Sequence, residues 1–230
     1  MRPHLKKMWV IAPNHNGEFV AHMEDVLDVY HIPYNPNIPM VCMDEQPVQL
    51  IKEKRNPIPA QKGKPERGDY EYERNGTANI FMFTEPLSGY RHVSVREHRS
   101  AMDWAHEIKY ILETVYPEAE RVRLVCDNLN THVIGSLYET FDPQKAHELA
   151  ARLEIHHTPK HGSWLNIAEI ELSALTIQCL DRRIPDIETL RYETRCWEEK
   201  RNQLQKSVDW HFTTKDARIR LRRLYPVIQG

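Results

Sequence analysis

The sequence predicts an α/β protein in which a central mixed β-sheet is flanked by helices. Short apolar runs alternate with segments of helical periodicity, in the order strand, hairpin, helix, strand, helix, strand, helix, helix. The last two strands are each reached through a helix, so they should lie parallel to the first strand with right-handed crossovers. No internal repeat is present.

The composition is that of an ordinary globular domain. The chain has 230 residues, with 31 Lys and Arg against 33 Asp and Glu, and 40% of its residues are hydrophobic. These proportions exclude fibrous and low-complexity classes. No apolar run approaches the ~18 residues that span a bilayer, and the N-terminus has no signal-peptide pattern. The four cysteines form no C-x-x-C pair, which favours a reducing compartment.

Periodicity and stop signals place the individual elements. The clearest helix begins after Ser100, which Asp103 follows in a capping-box pattern, and it stops at Pro117. A Pro and a Gly between the second and third strands predict a hairpin. Strands are predicted at 40–43, 77–84, 90–95, 121–126 and 153–157, and helices at 23–30, 100–116, 133–153 with a break at Asp142-Pro143, about 165–180, and after Pro185.

The stretch from residue 47 to residue 77 is predicted to be a long loop. It holds four prolines, three glycines and mixed charges without a usable period. We therefore divide the chain into an N-terminal linker with a short helix (1–39), a core domain (40–205) and a basic C-terminal segment (206–230).

Two predicted strands lead directly into a carboxylate, namely Asp44 after Val41-Cys42-Met43 and Asp127 after Leu124-Val125-Cys126. Ligands of open α/β sheets bind at this edge. Two ionised carboxylates there repel each other and are costly to desolvate, unless a cation that prefers oxygen ligands lies between them. A single Asp in this context is better explained as a turn cap, but two in matched contexts favour a metal site.

The helix predicted at about 165–180 offers a third carboxylate. Helical spacing separates Glu169 from Glu171 by about 200°. Glu169 shares a polar face with Asn166 and Thr176, and that face can look into the cleft of the two aspartates, so we select Glu169 as the third ligand. The alternative is that both glutamates are solvated and favoured by the helix dipole.

Three motifs occur in a characteristic order: CMDE at Cys42–Glu45, DNLNTH at Asp127–His132 and HHTPKHGSWLNIAEIEL at His156–Leu172. Together they resemble the bacterial insertion-sequence branch of the mariner-type DDE transposases. The similarity extends over nearly the whole chain, and the ordered combination is far more specific than any one of the motifs.

The resemblance implies a ribonuclease H-like fold, with a five-stranded mixed sheet of order 3-2-1-4-5 whose second strand is antiparallel. It implies that Asp44, Asp127 and Glu169 form a catalytic triad that holds two Mg²⁺ or Mn²⁺ ions. Two such ions about 4 Å apart activate a water or a 3′-hydroxyl and stabilise the leaving oxygen. The implied activity is that of a cut-and-paste transposase, which hydrolyses the transposon ends and joins them to target DNA.

The chain departs from the family pattern in two places. Relatives usually have Asn-Pro-Ile before the third acid, where this chain has Asn166-Ile167-Ala168, and Glu139–Arg152 reads as an insertion. Supporting roles are expected for Asn128, in orienting a ligand or phosphate, for His132 near the scissile phosphate, and for Asn166. A local hydrogen bond at a helix start is an equal alternative for His132.

Candidate DNA contacts lie in the predicted loop and before the third acid. Phosphate contact is expected of the basic residues, and base stacking of the tryptophan. His156, His157 and His161 also suggest zinc, but a proline and a glycine interrupt the helix that H-x-x-x-H needs, so zinc is disfavoured. The candidate DNA contacts are Lys52, Lys54, Arg55, Lys62, Lys64, Lys160, His161 and Trp164.

The partners implied by the resemblance are transposon ends and target DNA, without a membrane, and a homodimer that bridges two ends is one expected state. The implied location is the bacterial cytoplasm, at the nucleoid. Only about forty residues precede the first strand, so we expect a truncated protein without the family's end-reading modules. Two alternatives stay open: a non-catalytic DNA-binding or domesticated remnant, and a structure-specific nuclease or resolvase on the same fold.

Overall fold

The computed structural model describes residues 16–65 and 67–227, so the first part of the predicted N-terminal linker and the last residues of the C-terminal segment lie outside the described range. The chain runs through α1 (Gly17–Tyr30), β1 (Met40–Glu53), β2 (Tyr72–Glu85), β3 (Tyr90–Arg96), α2 (Ala101–Tyr110), β4 (Val122–Cys126), α3 (Ile134–Thr140), α4 (Pro143–Ala151), β5 (Leu153–His157), α5 (Ala168–Leu175), α6 (Ile187–Gln203) and α7 (Thr214–Arg220). Helical turns of the π type extend α2 and α5, at Ile111–Val115 and Thr176–Leu180.

The five strands form one mixed sheet in the order β3-β2-β1-β4-β5. β2 is antiparallel to both β1 and β3, whereas β1, β4 and β5 are parallel to one another. The predicted strand order and the antiparallel second strand are therefore confirmed. Among the described residues, no helix is long and apolar enough to cross a lipid bilayer.

A hydrophobic core lies on each face of the sheet. On one face α1 and α5 pack over Cys42 and Val125, and on the other face α2, α3 and α4 pack over Val41. Successive strand residues point to opposite faces, which explains why Val41 and Cys42 belong to different cores. The predicted capping box of Ser100 and Asp103 begins α2, and Trp104 in the first turn of this helix is fully buried.

The prediction of a loop over residues 47–77 is wrong, because β1 and β2 continue far beyond Asp44 and Glu45 as a long antiparallel arm. Past Cys42, β1 has only β2 as its sheet neighbour, so Pro47 is tolerated on the open side of the strand. The connection closes in a tight turn, in which Gln61 and Lys64 exchange both backbone hydrogen bonds. Gly63 occupies this turn with φ +77°, which favours glycine.

The arm comprises residues 46–79, and contacts with the segment before α6 hold it in place. The Ile51 N–H donates to the Ile184 carbonyl oxygen over 2.7 Å. Arg183 forms an ion pair with Glu53 at 2.6 Å and donates to the Asp69 carbonyl oxygen over 2.9 Å. These long-range bonds give the arm a defined direction, although its local sequence resembles a loop.

Helix α6 runs along the outer edge of the sheet and pairs with β3 through its side chains. The Asn202 amide accepts from the Arg91 N–H and donates to the Arg91 carbonyl oxygen, each over 2.8 Å, as a neighbouring strand would. Further along, Glu198 accepts from the Val93 N–H over 3.1 Å. Edge strands need such protection, because their free backbone groups otherwise invite other strands.

Candidate active site

Asp44 and Asp127 belong to neighbouring parallel strands. Cys42 of β1 lies opposite Val125 of β4, and each aspartate is two residues further along strands that lie about 4.8 Å apart. Because side chains alternate, both aspartates share the sheet face over which α5 packs. Asp127 directly follows β4 as predicted, whereas Asp44 lies within β1 instead of at its end.

Helix α5 turns its polar face toward β1. The Asn166 side-chain amide donates to the Met43 carbonyl oxygen over 2.8 Å, and Gln46 donates to the Thr176 hydroxyl over 3.0 Å. Asn166 has extended backbone two residues before α5 begins, and Glu169 lies in the first turn of that helix. The negative charge of Glu169 is near enough to Asp44 to help raise the pKa of its carboxyl. The structure thus brings Glu169 to the part of β1 that carries Asp44.

The electrostatics of Asp44 reflect this convergence. Burial raises the pKa of Asp44 to about 7, and the negative charges of Asp127, Glu169 and Glu45 act in the same direction. A hydrogen bond from the Glu45 N–H, 2.8 Å long, opposes the shift. Like charges that share one site respond in this way when no cation separates them.

A buried histidine holds the other side of Asp127. His132 is fully buried, with Nε2 at 2.9 Å from Glu45 Oε1 and Nδ1 at 2.9 Å from Asp127 Oδ1. Burial disfavours the charged ring, but hydrogen bonds to Asp127, Cys126 and Glu45 raise the pKa of His132 to about 12. An imidazolium donates from both nitrogens, so His132 fixes Glu45 relative to Asp127. His132 is thus a buried residue of the site, and its position near the scissile phosphate stays a prediction.

The donor set suits a hard divalent cation. Carboxylate oxygens are the ligands that Mg²⁺ and Mn²⁺ prefer. The neighbouring carboxylates repel the ionised form of Asp44, and a bound cation would offset this repulsion. Within residues 16–65 and 67–227, no three acidic, histidine or cysteine side chains are close enough to hold an ion as oriented here. Oδ1 of Asp127 is buried against His132, so joint ligation requires the carboxylates to rotate.

Two buried polar side chains fasten the start of α5 to the sheet. Tyr30 of α1 donates its hydroxyl to the Leu165 carbonyl oxygen over 2.6 Å and accepts from the Ile167 N–H over 3.4 Å. Asn166 is also buried and makes the bond to Met43 described above. Sequence reasoning missed Tyr30, because nothing local indicates a contact between residues 135 positions apart.

Glu171 is not a solvated glutamate, contrary to the alternative raised from the sequence. It is 1% exposed and forms ion pairs with Arg91 at 2.7 Å and Arg201 at 3.0 Å. Burial opposes ionisation, but these guanidinium groups lower the pKa of Glu171 below its ordinary value. The buried ion cluster of Arg91, Glu171 and Arg201 joins β3, α5 and α6, and Glu171 is not available as a metal ligand.

The predicted DNA contacts are mostly exposed. Lys160 and His161 are exposed before α5, as is Asn128 after β4. Trp164 is partly buried against the core, which leaves only part of its ring for stacking. In the arm, Lys54 pairs with Glu71 and Arg55 with Asp69, at 3.3 and 3.4 Å, whereas Lys52, Lys62 and Lys64 are exposed without an ion pair to any residue that the structure describes.

The histidines that suggested zinc have separate surroundings. His156 lies 2.8 Å from Asp25 and 3.0 Å from Glu154. His157 is the next residue of β5 and therefore points to the opposite face, where its Nδ1 is 3.8 Å from the Cys126 sulfur. His161 is exposed in the following loop.

Comparison with known proteins places this geometry in a family. The family model described as DDE superfamily endonuclease matches residues 39–191. The chain is similar in structure to the Mos1 mariner paired-end complex with Mn, with 15% identity and a TM-score of 0.55 over 88% of this chain and 62% of that chain. It is similar to the Mos1 strand transfer complex, with 14% identity and a TM-score of 0.54 over 88% of this chain and 61% of that one.

A search among curated proteins found no match. The chain spans less than two thirds of the length of the solved Mos1 chains that it resembles. Their likeness establishes the ribonuclease H-like fold that the motifs predicted. Because the family model covers more than half of the sequence, the chain belongs to the DDE superfamily endonucleases.

Proposed function

We propose that this chain is the catalytic domain of a cut-and-paste transposase, which hydrolyses DNA phosphodiester bonds and joins the freed 3′-hydroxyl to target DNA. The observation that carries the proposal is the convergence of Asp44, Asp127 and Glu169 on one sheet face, where burial and their charges raise the pKa of Asp44 to about 7. Membership of the endonuclease family supports phosphodiester chemistry at this face.

Asp44, Asp127 and Glu169 would hold two Mg²⁺ or Mn²⁺ ions. When bound, such ions activate a water or 3′-hydroxyl and stabilise the leaving oxygen. His132 restrains Asp127, and Asn166 sets the distance between α5 and β1. Both residues lie outside the proposed ligand shell, where such partners commonly steer the ligands. The three carboxylates still have to rotate before they can share an ion.

DNA is the proposed substrate and partner. The Mos1 structures are described as paired-end and strand transfer complexes, which supports contact with transposon ends and target DNA, and a homodimer that bridges two ends. Two groups of exposed residues in this chain are available for phosphate contact. They are Lys62 and Lys64 at the tip of the arm, and Lys160 and His161 in the loop before α5. A bacterial cytoplasmic location at the nucleoid belongs to the same proposal.

The test is a strand-transfer assay with the purified full chain, Mn²⁺ and a precleaved duplex end. We expect joined products, and we expect Asp44→Asn, Asp127→Asn and Glu169→Gln each to abolish them. Calorimetry should show weaker Mn²⁺ binding by the same variants. Asp209→Asn is the matched control, because that side chain is 74% exposed.

Each rival function predicts a different result. Simple nicks without joined products would favour a structure-specific nuclease or resolvase. Absence of both cleavage and Mn²⁺ binding in the wild type would favour a non-catalytic remnant. Variants that bind Mn²⁺ as tightly as the wild type would contradict the assignment of the three acids.

A further inference from the structure

A further buried carboxylate lies at the end of the sheet where β1 and β4 begin. Glu85 ends β2 and is only 5% exposed. Its Oε2 accepts hydrogen bonds from the Ser88 hydroxyl over 2.7 Å and from the Tyr116 hydroxyl over 3.0 Å. Asp127 lies at the opposite end of β4, so Glu85 does not belong to the candidate active site.

The second oxygen of this carboxylate has no partner. Oε1 of Glu85 is buried without a hydrogen bond, and no Lys, Arg or His nitrogen of the described residues lies within 4.0 Å of the carboxylate. Arg123, which lines a small adjoining cavity with Glu85, is paired with Glu154 at 3.3 Å. The uncompensated charge of Glu85 raises the pKa of Tyr34 nearby. A buried carboxylate in this state is costly unless something neutralises it.

Glu85 also contributes to the wall of an open cavity that is lined by three tyrosine side chains. The cavity has a volume of about 410 Å³ and is bounded by Tyr90, Tyr110, Tyr116 and the exposed end of α2. Tyr90 and Tyr116 meet edge to face, with ring centroids 6.4 Å apart. Burial and neighbouring negative charges, including that of Glu85, raise the pKa of Tyr90 to about 12, so its hydroxyl stays neutral.

We infer that this cavity is a binding site for an organic cation, either a guanidinium or an ammonium group. Aromatic faces attract such cations, and a carboxylate behind them supplies the counter-charge. A hard metal ion would find only one carboxylate here, and an anion would be repelled by it. The cation is either a free amine or an arginine or lysine side chain, since both offer the same chemistry.

The test is an NMR titration of the ¹⁵N-labelled full chain with ethylguanidinium, and with N-ethylurea as its neutral analogue. We expect saturable shifts of amides near Glu85 and Tyr110 with the cation, at millimolar affinity, and none with the urea. Glu85→Gln should weaken binding about tenfold or more, the size of one charge-assisted contact.

Tyr110→Ala serves as a second variant because its ring is 42% exposed and its loss should not unfold the chain. We expect it to weaken cation binding several-fold, whereas Glu139→Gln, at an exposed position on α3, should have no effect. If spermidine binds more tightly than a Gly-Arg-Gly peptide, the natural ligand is a free amine. If the peptide binds more tightly, the natural ligand is an arginine or lysine side chain. Equal shifts with ethylurea, or unchanged binding by Glu85→Gln, would overturn the inference, and neither result bears on DNA cleavage.

Discussion

The side chain of Asn166 links the helix that carries Glu169 to the strand that carries Asp44. Its amide bonds to the carbonyl of Met43, the residue before Asp44, and its side-chain oxygen accepts from the Ala168 N–H over 3.1 Å in the first turn of α5. One buried side chain therefore connects the backbone of β1 to the helix that carries Glu169.

Replacing Asn166 by Ala should uncouple α5 from β1. We expect a loss of about 1–3 kcal/mol in unfolding free energy, because the Met43 carbonyl is left unpaired. We also expect Mn²⁺ affinity to fall by about 10–100-fold, as is usual when a supporting partner is removed. Urea unfolding and calorimetry measure the two effects, and a variant with lowered stability but unchanged Mn²⁺ affinity would limit Asn166 to a structural role.

The side chain of His132 restrains Asp127 in a similar way. Replacing it by Asn should destabilise the fold by about 3–5 kcal/mol, because the buried Glu45 carboxylate loses its counter-charge. Mn²⁺ binding should weaken as well, since Asp127 loses its restraint. His106→Asn is the control, because His106 is exposed on α2. Equal stability of the two variants would show that His132 does not compensate Glu45.

At the scale of elements, the cluster of Arg91, Glu171 and Arg201 determines how α5 sits between the sheet and α6. Since the pKa of Glu171 is lowered below its ordinary 4.5, its contribution to stability is fully present above about pH 5 and is lost as the pH falls through the lowered value. The free energy that the cluster contributes to folding therefore depends on pH in a defined direction.

Glu171→Gln should therefore destabilise the fold most at neutral pH. We expect a loss of about 3–5 kcal/mol at pH 7, because Arg91 is left buried with a weaker partner. The difference from the wild type should shrink as the pH falls below about 4.5. Urea unfolding across this range, with Glu199→Gln as control, measures it, and a pH-independent difference would refute the ionised cluster.

Elements with strong local signals were predictable from the sequence. β5 and the break at Asp142-Pro143 have the predicted bounds, since proline and capping signals act locally. The arm was not predictable, because β1 continues through Pro47 only by virtue of its pairing with β2 and its bonds to the segment before α6. The burial of Glu171 was likewise hidden, because its partner Arg91 lies 80 positions earlier in the chain.

At the scale of the whole molecule, the arm should contribute electrostatically to DNA binding. Replacing Lys62 and Lys64 by Gln should reduce the slope of log affinity against log salt by about 1.8, because each phosphate contact contributes about 0.9. Lys109→Gln with Lys145→Gln removes the same charge elsewhere and should change the slope little. Fluorescence anisotropy of a labelled duplex measures both, and identical slopes would exclude direct contact by the tip of the arm.

The protection of β3 by α6 has a consequence for how copies of this molecule associate. At Arg91 and Val93 the outermost amides already bind Asn202 and Glu198, so an approaching polypeptide finds those hydrogen bonds taken. Intermolecular sheet growth is thereby disfavoured on this flank. Amyloid-type stacking would have to start at another edge, such as β5 or the open side of β1 beyond Cys42, or after α6 has dissociated from β3.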